Sequence, residues 1–158
     1  MLMAGRYHMH FLEEGKWSDC MNGVGENNDC LFCKIVEKKI PADIVYESEN
    51  IIAFKDIEPK APIHCLIIPK RHVVDYFELS DDEIIACNNL IKIIKKEVLD
   101  KDKSVKAFNI GTNAGKIAGQ SIMHCHIHLI PRRKGDVDNP QGGVRSVIPK
   151  NQHYKRKI

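Results

Sequence analysis

Three histidines, His124, His126 and His128, alternate with apolar residues in one short run. The run is rich in branched apolar side chains and follows a period of two, which predicts a β-strand. Alternate side chains of a strand lie on one face about 6.6–7 Å apart, so the three imidazoles should share a face. Because imidazole is neutral near physiological pH, such a row suits metal ligation, proton handling or nucleophilic attack. The alternative is a polar strand edge that faces solvent.

The loop before this strand has the composition of an anion site. Glycines let backbone N–H groups approach an anion closely, and amide and hydroxyl side chains add donors. The loop lacks the lysine and the spacing of a P-loop, so it predicts a phosphate cradle of another kind. A flexible hairpin loop is the alternative. The candidate phosphate ligands are Asn113, Gly119, Gln120 and Ser121.

A C-x-x-C pair, Cys30 and Cys33, stands near the start of the globular part of the chain. Together with His72 and His124 it forms a four-ligand set suited to tetrahedral zinc. The separation of Cys33 from His72 is too long for a zinc finger, so two free cysteines and two unrelated histidines remain the alternative. A redox pair is also open, and it would need a thioredoxin-like βαβ context.

Length and charge narrow the class of protein. The 158 residues suffice for one domain with a real core. The net charge of +3 is modest and mixes both signs, so no nucleic-acid partner is expected. No run approaches the roughly 20 apolar residues of a membrane span, and no signal peptide is recognised. The six cysteines are therefore expected in a reducing cytoplasm.

The predicted elements describe an α+β fold, a five-stranded antiparallel sheet with one short and one long helix. The short helix covers residues 30–39 with Asp29 as its N-cap. The long helix starts at a capping box of Ser80 and Glu83 and ends near Leu99. Strands are predicted at residues 44–47, 51–55, 64–68 and 106–111 and at the histidine run. We expect an N-terminal extension over residues 1–28, the domain over 29–133, and a tail over 134–158 that packs on the domain or near the active site.

The run from Gln120 to Pro131, the residues from Ile67 to His72 and the C-x-x-C together resemble the histidine triad family. The resemblance implies the family's fold and a homodimer formed across the long helix and one sheet edge. It also implies structural zinc on Cys30, Cys33, His72 and His124, as in the similar galactose-1-phosphate uridylyltransferases. The tail from Gly135 to Arg145 resembles that of bacterial dinucleoside polyphosphate hydrolases.

The same resemblance implies a purine nucleotide substrate and a covalent mechanism. His126 would attack the α-phosphate, His128 would donate toward the phosphate or the bridging oxygen, and His64 would line the leaving-group side. Asp56 would bind the ribose hydroxyls. A phosphoramidase and a nucleotide sensor without turnover remain alternatives. The residues expected to enclose the base, each of which could instead be core, are Leu31, Phe32, Ile35, Phe54 and Ile57.

Overall fold

The computed structural model describes residues 29–153. The predicted extension over residues 1–28 and the basic end of the tail lie outside the described residues. Two α-helices and five strands make up the fold. The helices are α1 (Leu31–Val36) and α2 (Asp81–Lys101). The strands are β1 (Ile44–Glu47), β2 (Ile51–Lys55), β3 (Cys65–Pro69), β4 (Val105–Gly111) and β5 (Ile127–Arg133).

The five strands form one sheet in the order β1-β2-β3-β5-β4, and every neighbouring pair is antiparallel. The α+β prediction of a five-stranded antiparallel sheet is therefore confirmed. The register aligns Phe54, Leu66, His128 and Gly111 in one row across β2, β3, β5 and β4. Because facing residues of paired strands project to the same side of a sheet, this row marks the face that carries the histidines.

The sheet is buried on both faces, which explains why β2 and β3 are apolar at successive positions. One face packs on α2 through Cys87, Leu90 and Ile94, which contact the cluster that contains Ile67 and Leu129. The opposite face packs on α1. That second cluster comprises Leu31, Phe32, Ile35, Ile52, Phe54, Leu66 and Ile68.

The long helix begins as the sequence predicts. The Ser80 hydroxyl accepts from the Glu83 N–H at 3.3 Å, and the Glu83 carboxylate accepts from the Ser80 N–H at 2.9 Å. The predicted cap of α1 is wrong, because the N-cap is Cys30 and not Asp29. The Asp29 carboxylate instead pairs with Lys34. Neither helix within residues 29–153 combines the length and apolarity needed to cross a membrane.

The histidine strand starts later than its periodicity predicts. β5 begins at Ile127, so His124 and His126 precede the paired strand. The backbone here has other partners: the Cys125 N–H donates to the Val73 carbonyl, and Thr112 Oγ1 donates to the His126 carbonyl at 2.7 Å. The triad therefore bridges a loop and a strand.

Candidate functional site

A cavity of about 860 Å³ opens on the histidine face of the sheet. α1 and the end of β2 wall one side of it, and the tail walls the other. His64, His126 and His128 line the cavity between those two walls, while His124 is fully buried beneath α1. The three triad histidines are thus divided between two neighbouring sites, one around His124 and one around His126 and His128.

The first site is a cluster of four side chains whose ligand atoms all lie within 4.8 Å of one another: Cys30, Cys33, His72 and His124. Cys33 Sγ lies 3.3 Å from His72 Nδ1 and 3.6 Å from His124 Nδ1. Cys30 Sγ lies 3.5 Å from the same nitrogen of His124. Residues that are far apart in the chain thus meet at one point.

The protonation state of His124 fits a metal ligand. Its Nε2 lies 2.8 Å from the Pro69 carbonyl, which can only accept, so Nε2 carries the proton. In a neutral ring Nδ1 then offers its lone pair toward the two sulfurs. Two sulfurs and two imidazole nitrogens are a donor set that suits tetrahedral zinc. The four side chains fit such an ion as a closed structural site.

The redox alternative for the cysteine pair is weaker. Burial, followed by the neighbouring Cys30, raises the pKa of Cys33 to about 12, whereas reactive thiols have lowered pKa values. The sheet is antiparallel throughout the described chain, which is not the βαβ context of a thioredoxin-like motif. The five cysteines that the structure describes are free.

The second site contains His126, whose tautomer is fixed by the backbone. Its Nδ1 donates to the His124 carbonyl at 2.8 Å, which leaves the Nε2 lone pair available. Phe32 packs edge-on against the ring, with the ring centroids 5.3 Å apart. Burial lowers the pKa of His126, so the ring is neutral near pH 7. A neutral, oriented imidazole at a cavity wall can act as a nucleophile.

His128 belongs to a directed chain of hydrogen bonds. The Lys60 N–H donates to His64 Nδ1 at 3.2 Å, so His64 carries its proton on Nε2. That nitrogen lies 3.0 Å from His128 Nδ1 and donates to it. His128 is therefore protonated on Nε2 in its neutral form, and this N–H is the group that it can offer to a ligand.

Burial keeps the two histidines of this hydrogen-bonded chain, His64 and His128, in their neutral form. It lowers the pKa of His128 to about 4, with the neighbouring His126 and His64 acting in the same direction. It also lowers the pKa of His64, although the Asp56 carboxylate acts the other way from 3.5 Å. The low pKa values keep the rings neutral, so they offer hydrogen bonds from N–H groups rather than protons from imidazolium ions.

The wall beside α1 contains the apolar residues that the sequence assigns to the base pocket. Phe32 and Phe54 meet edge-to-face with centroids 5.5 Å apart. The structure brings Leu31, Phe32, Ile35, Phe54 and Ile57 to the cavity lining together with Asp56. Ile57 is largely exposed, whereas the other four are also members of the α1-side core. Core packing and cavity lining are therefore both roles of these four residues.

Asp56 has contacts of its own before any ligand is considered. Its Oδ1 accepts from the Glu58 N–H at 2.9 Å, which closes a turn after β2. Its Oδ2 lies 3.5 Å from His64 Nδ1 at the cavity. One carboxylate oxygen thus organises the loop, and the other is available near the histidines.

The glycine-containing loop divides between the cavity and the protein interior. Asn113 and Ser121 line the cavity, Gly119 is exposed outside it, and Gln120 lies in the interior. Gln120 is buried, with Nε2 donating to the carbonyls of Val74 and Ile122 and Oε1 accepting from the Gly115 N–H. Both donor hydrogens of that amide are committed to the backbone, so in this geometry Gln120 shapes the loop.

Several lining residues carry no signal that sequence patterns detect. Thr112 follows β4 directly and lines the cavity while it holds the His126 carbonyl. Leu66 and Ile122 complete the apolar wall, and Lys60 supplies the N–H that orients His64. Their positions depend on strand register, although a polar residue directly after a strand is a weak signal for Thr112.

A five-stranded antiparallel sheet that presents this histidine motif beside an apolar cavity defines a histidine triad protein. The HIT domain model matches residues 37–135. The chain belongs to the HIT family, and the predicted resemblance is confirmed. Membership supports a function of the nucleotide-binding or hydrolase type.

Three relatives give the extent of the similarity. An uncharacterized HIT-like protein of Methanocaldococcus jannaschii is 46% identical over 109 residues, which cover 68% of this chain and 81% of that protein. A zinc-bound histidine triad protein from Mycobacterium smegmatis is 34% identical with a TM-score of 0.66, covering 70% and 80% of the two chains. A HIT family hydrolase from Clostridium thermocellum is 34% identical with a TM-score of 0.60, covering 66% and 91%.

Proposed function

We propose that the protein hydrolyses purine nucleotide conjugates at the α-phosphate through a covalent nucleotidyl group on His126. The observation that carries the proposal is the hydrogen bond from His126 Nδ1 to the His124 carbonyl. It holds the ring in the tautomer in which Nε2 is an unprotonated nucleophile at the cavity. Splitting hydrolysis into two transfers at one imidazole is a recognised form of nucleophilic catalysis.

In the first transfer a bond forms between His126 Nε2 and phosphorus, and the bond from phosphorus to the leaving group breaks. His128 donates a hydrogen bond from its Nε2–H to the departing oxygen or nitrogen and keeps that proton. A polyphosphate departs as its anion, and a departing nitrogen takes its proton from water. In the second transfer a water molecule attacks phosphorus, the bond from phosphorus to His126 Nε2 breaks, and the proton of the water passes to solvent. The nucleoside monophosphate is released, and His126 regains its lone pair. The hydrogen bond from His64 keeps His128 in the tautomer that both transfers require.

We further propose a dinucleoside polyphosphate as the substrate class. The resemblance of the tail supports it, and so does the size of the cavity, which is near the top of the roughly 300–1,000 Å³ range of small-molecule sites. A purine nucleoside phosphoramidate is the second candidate, because a neutral His128 N–H serves a departing nitrogen as well as an oxygen. Asn113 and Ser121 are the loop side chains proposed to hold phosphate oxygens.

We propose structural zinc on Cys30, Cys33, His72 and His124, which the convergence of their ligand atoms supports. The ion would tie the start of α1 to the loop that precedes β5. That tie would fix the His124 carbonyl, which in turn orients His126. The zinc-bound relative has the same family fold. Free cysteines fit the reducing cytoplasm that we propose as the compartment.

We propose a homodimer that pairs β4 with its copy, because β4 is an outer strand of the sheet. Unpaired sheet edges favour pairing with another chain. Ile85 and Ile110 are exposed beside this edge and border a small cleft between α2 and β4. Ile85→Asp should give a monomer in light scattering, and Ile117→Asp, at a fully exposed loop position, should not. A monomeric wild type would contradict the dimer.

A substrate panel tests the proposed function. The wild type should release AMP from adenosine phosphoramidate and from diadenosine tetraphosphate. Rapid quenching at alkaline pH, where phosphoramidate bonds survive, should yield a His126 peptide that carries a nucleotidyl group. His126→Ala should lose turnover by orders of magnitude and still bind AMP. Near-normal turnover by His126→Ala would exclude the covalent mechanism, and binding without turnover of either substrate would favour the sensor alternative.

A further inference from the structure

The tail does not leave the domain after β5 but folds back along β4. Arg132 and Asp136 form a two-point ion pair with distances of 2.7 and 2.8 Å, and Arg132 also donates to Asn109 on β4. A short 3-10 turn, Gly143–Val147, then lies against β4. A Cβ on Gly143 would stand 3.2 Å from Asn109 Nδ2, so the contact is close.

Gly142 fixes the start of this turn. Its φ of +79° is a conformation that favours glycine. A Cβ at this position would clash with the Gln152 carbonyl oxygen. The chain therefore packs against itself between Gly142 and Gln152. The described part of the tail, as far as Gln152, is therefore an ordered wall of the cavity.

The tail wall differs in chemistry from the wall beside α1. Its apolar side chains include Val137, Pro140, Val144 and Val147, and Asn109 and Gln152 add amides. Val144 and Val147 expose 65% and 73% of their surface although they line a cavity. Exposed apolar side chains that converge on a cavity are typical of a ligand site that is open to solvent.

The charge on this wall is balanced. Among the described residues of the wall, Arg132 and Asp136 are the charged side chains, and they neutralise each other. A terminal phosphate would find poor partners here, because anions are held by unpaired cations or by converging N–H groups. An uncharged flat group with apolar faces and a hydrogen-bonding edge suits apolar side chains that are bordered by amides.

We infer that the tail wall is a second nucleoside subsite, which holds the base and sugar of the leaving group. This inference rests on the proposed function, and it specifies where the leaving group, the part of the substrate that departs from phosphorus, is bound. The first nucleoside lies against α1, the reacting phosphate lies at His126 and His128, and the polyphosphate leads to the second nucleoside at Val144 and Val147. β5, which carries His128, lies between β2, on which α1 packs, and β4, against which the tail lies, as a substrate with a nucleoside at each end requires.

Binding to the His126→Ala protein tests the subsite without turnover. The two ligands are diadenosine tetraphosphate and adenosine 5′-tetraphosphate, which differ by the second nucleoside. The dinucleotide should bind at least about tenfold more tightly, the equivalent of roughly 1.4 kcal/mol. Val147→Asp should remove most of that preference, because it places a charge on the apolar wall. Ile148→Asp, at an exposed position of the same segment outside the cavity lining, is the matched control and should keep the preference.

Three results would overturn the subsite: equal affinity for the two ligands, equal effects of Val147→Asp and Ile148→Asp, or a change of oligomeric state in Val147→Asp alone. A change of oligomeric state would mean that Val144 and Val147 form a contact between two copies of the protein. If Val147→Asp does not fold, Val144→Thr adds a hydroxyl at nearly constant volume and should reduce the same preference.

Turnover separates this inference from the proposed function. Adenosine phosphoramidate releases ammonia, which does not reach the tail wall, so Val147→Asp in the otherwise wild-type protein should leave its hydrolysis unchanged. Hydrolysis of diadenosine tetraphosphate should fall. If neither substrate is turned over while the binding preference persists, the proposed function fails and the subsite stands. If both substrates are turned over but the dinucleotide binds no more tightly than adenosine 5′-tetraphosphate, the subsite is wrong and the proposed function is retained.

Discussion

His64 and His128 share a hydrogen bond although 64 positions separate them in the chain: Nε2 of His64 lies 3.0 Å from Nδ1 of His128. The sheet explains the pairing, because Leu66 faces His128 across β3 and β5, and His64 lies two residues before Leu66. The bond determines which nitrogen of His128 carries the proton. His64 is therefore a positioning residue for His128, the proposed hydrogen-bond donor to the leaving group.

Loss of His64 should slow hydrolysis most for substrates that have poor leaving groups. His64→Ala removes the donor to His128 Nδ1, so the Nε2–H tautomer of His128 is no longer enforced. We expect kcat to fall while KM changes little, and more for phosphoramidates of basic amines than for anhydrides. His64→Gln keeps an amide donor and should recover part of kcat. A matched loss in kcat for good and poor leaving groups would show that His64 acts only through folding.

Stability should fall on mild acidification. The pKa of His128 is about 4 in the folded protein and about 6.5 for an ordinary histidine, and burial also lowers the pKa of His64. Between these values the unfolded chain binds more protons than the native protein, so the free energy of unfolding decreases as pH falls from about 6.5 to about 4. The groups that face His128 are His126, His64 and Asp56.

Denaturant unfolding at several pH values measures this effect. The His128→Asn variant should show a shallower dependence over the same range, because one half-buried neutral histidine is removed. His153→Asn is the control, since His153 is exposed and should leave the slope unchanged. An identical slope in wild type and His128→Asn would contradict the assignment of the acid sensitivity to His128.

The cysteine pair should bind zinc. Purified protein should contain about one zinc ion per chain, since four side chains complete a tetrahedral set. Cys30→Ser/Cys33→Ser should lose the metal and melt at a lower temperature, because structural zinc contributes folding free energy. Cys87→Ala removes a buried thiol far from the cluster and should keep the zinc. Metal-free wild type with every thiol titratable would contradict the site.

Asp56 should distinguish ribose from deoxyribose ligands. Asp56→Ala should weaken a ribonucleoside monophosphate by about 10- to 150-fold, as expected for lost charge-assisted hydrogen bonds of roughly 1.5–3 kcal/mol. The 2′,3′-dideoxy analogue should change little. Asp56→Asn can still accept from the Glu58 N–H, so it separates the charge from the turn. Equal weakening of both ligands by Asp56→Ala would mean that Asp56 only closes the turn after β2 and does not bind the ribose.

Local patterns were enough to predict much of this molecule. The alternation around His126 and His128 predicted that both lie on one face, and the capping box predicted the start of α2. These features depend on contacts within a few residues: side chains repeat with the period of the backbone, and a cap bonds the N–H three positions on. The same short range explains the error at β5. Periodicity cannot tell that the backbone of Cys125 and His126 bonds to neighbouring loops before the strand begins.

The composition of the chemical sites was decided by the tertiary structure. Cys33 meets His72 because α1 packs across the sheet, and His64 meets His128 because β3 pairs with β5. Gln120 has the residue type of a phosphate ligand, yet the folded loop uses its whole amide for the backbone. The sequence alone determined which chemical groups are available. Only register and packing decided which of them share a cavity, since those distances depend on contacts between residues far apart in the chain.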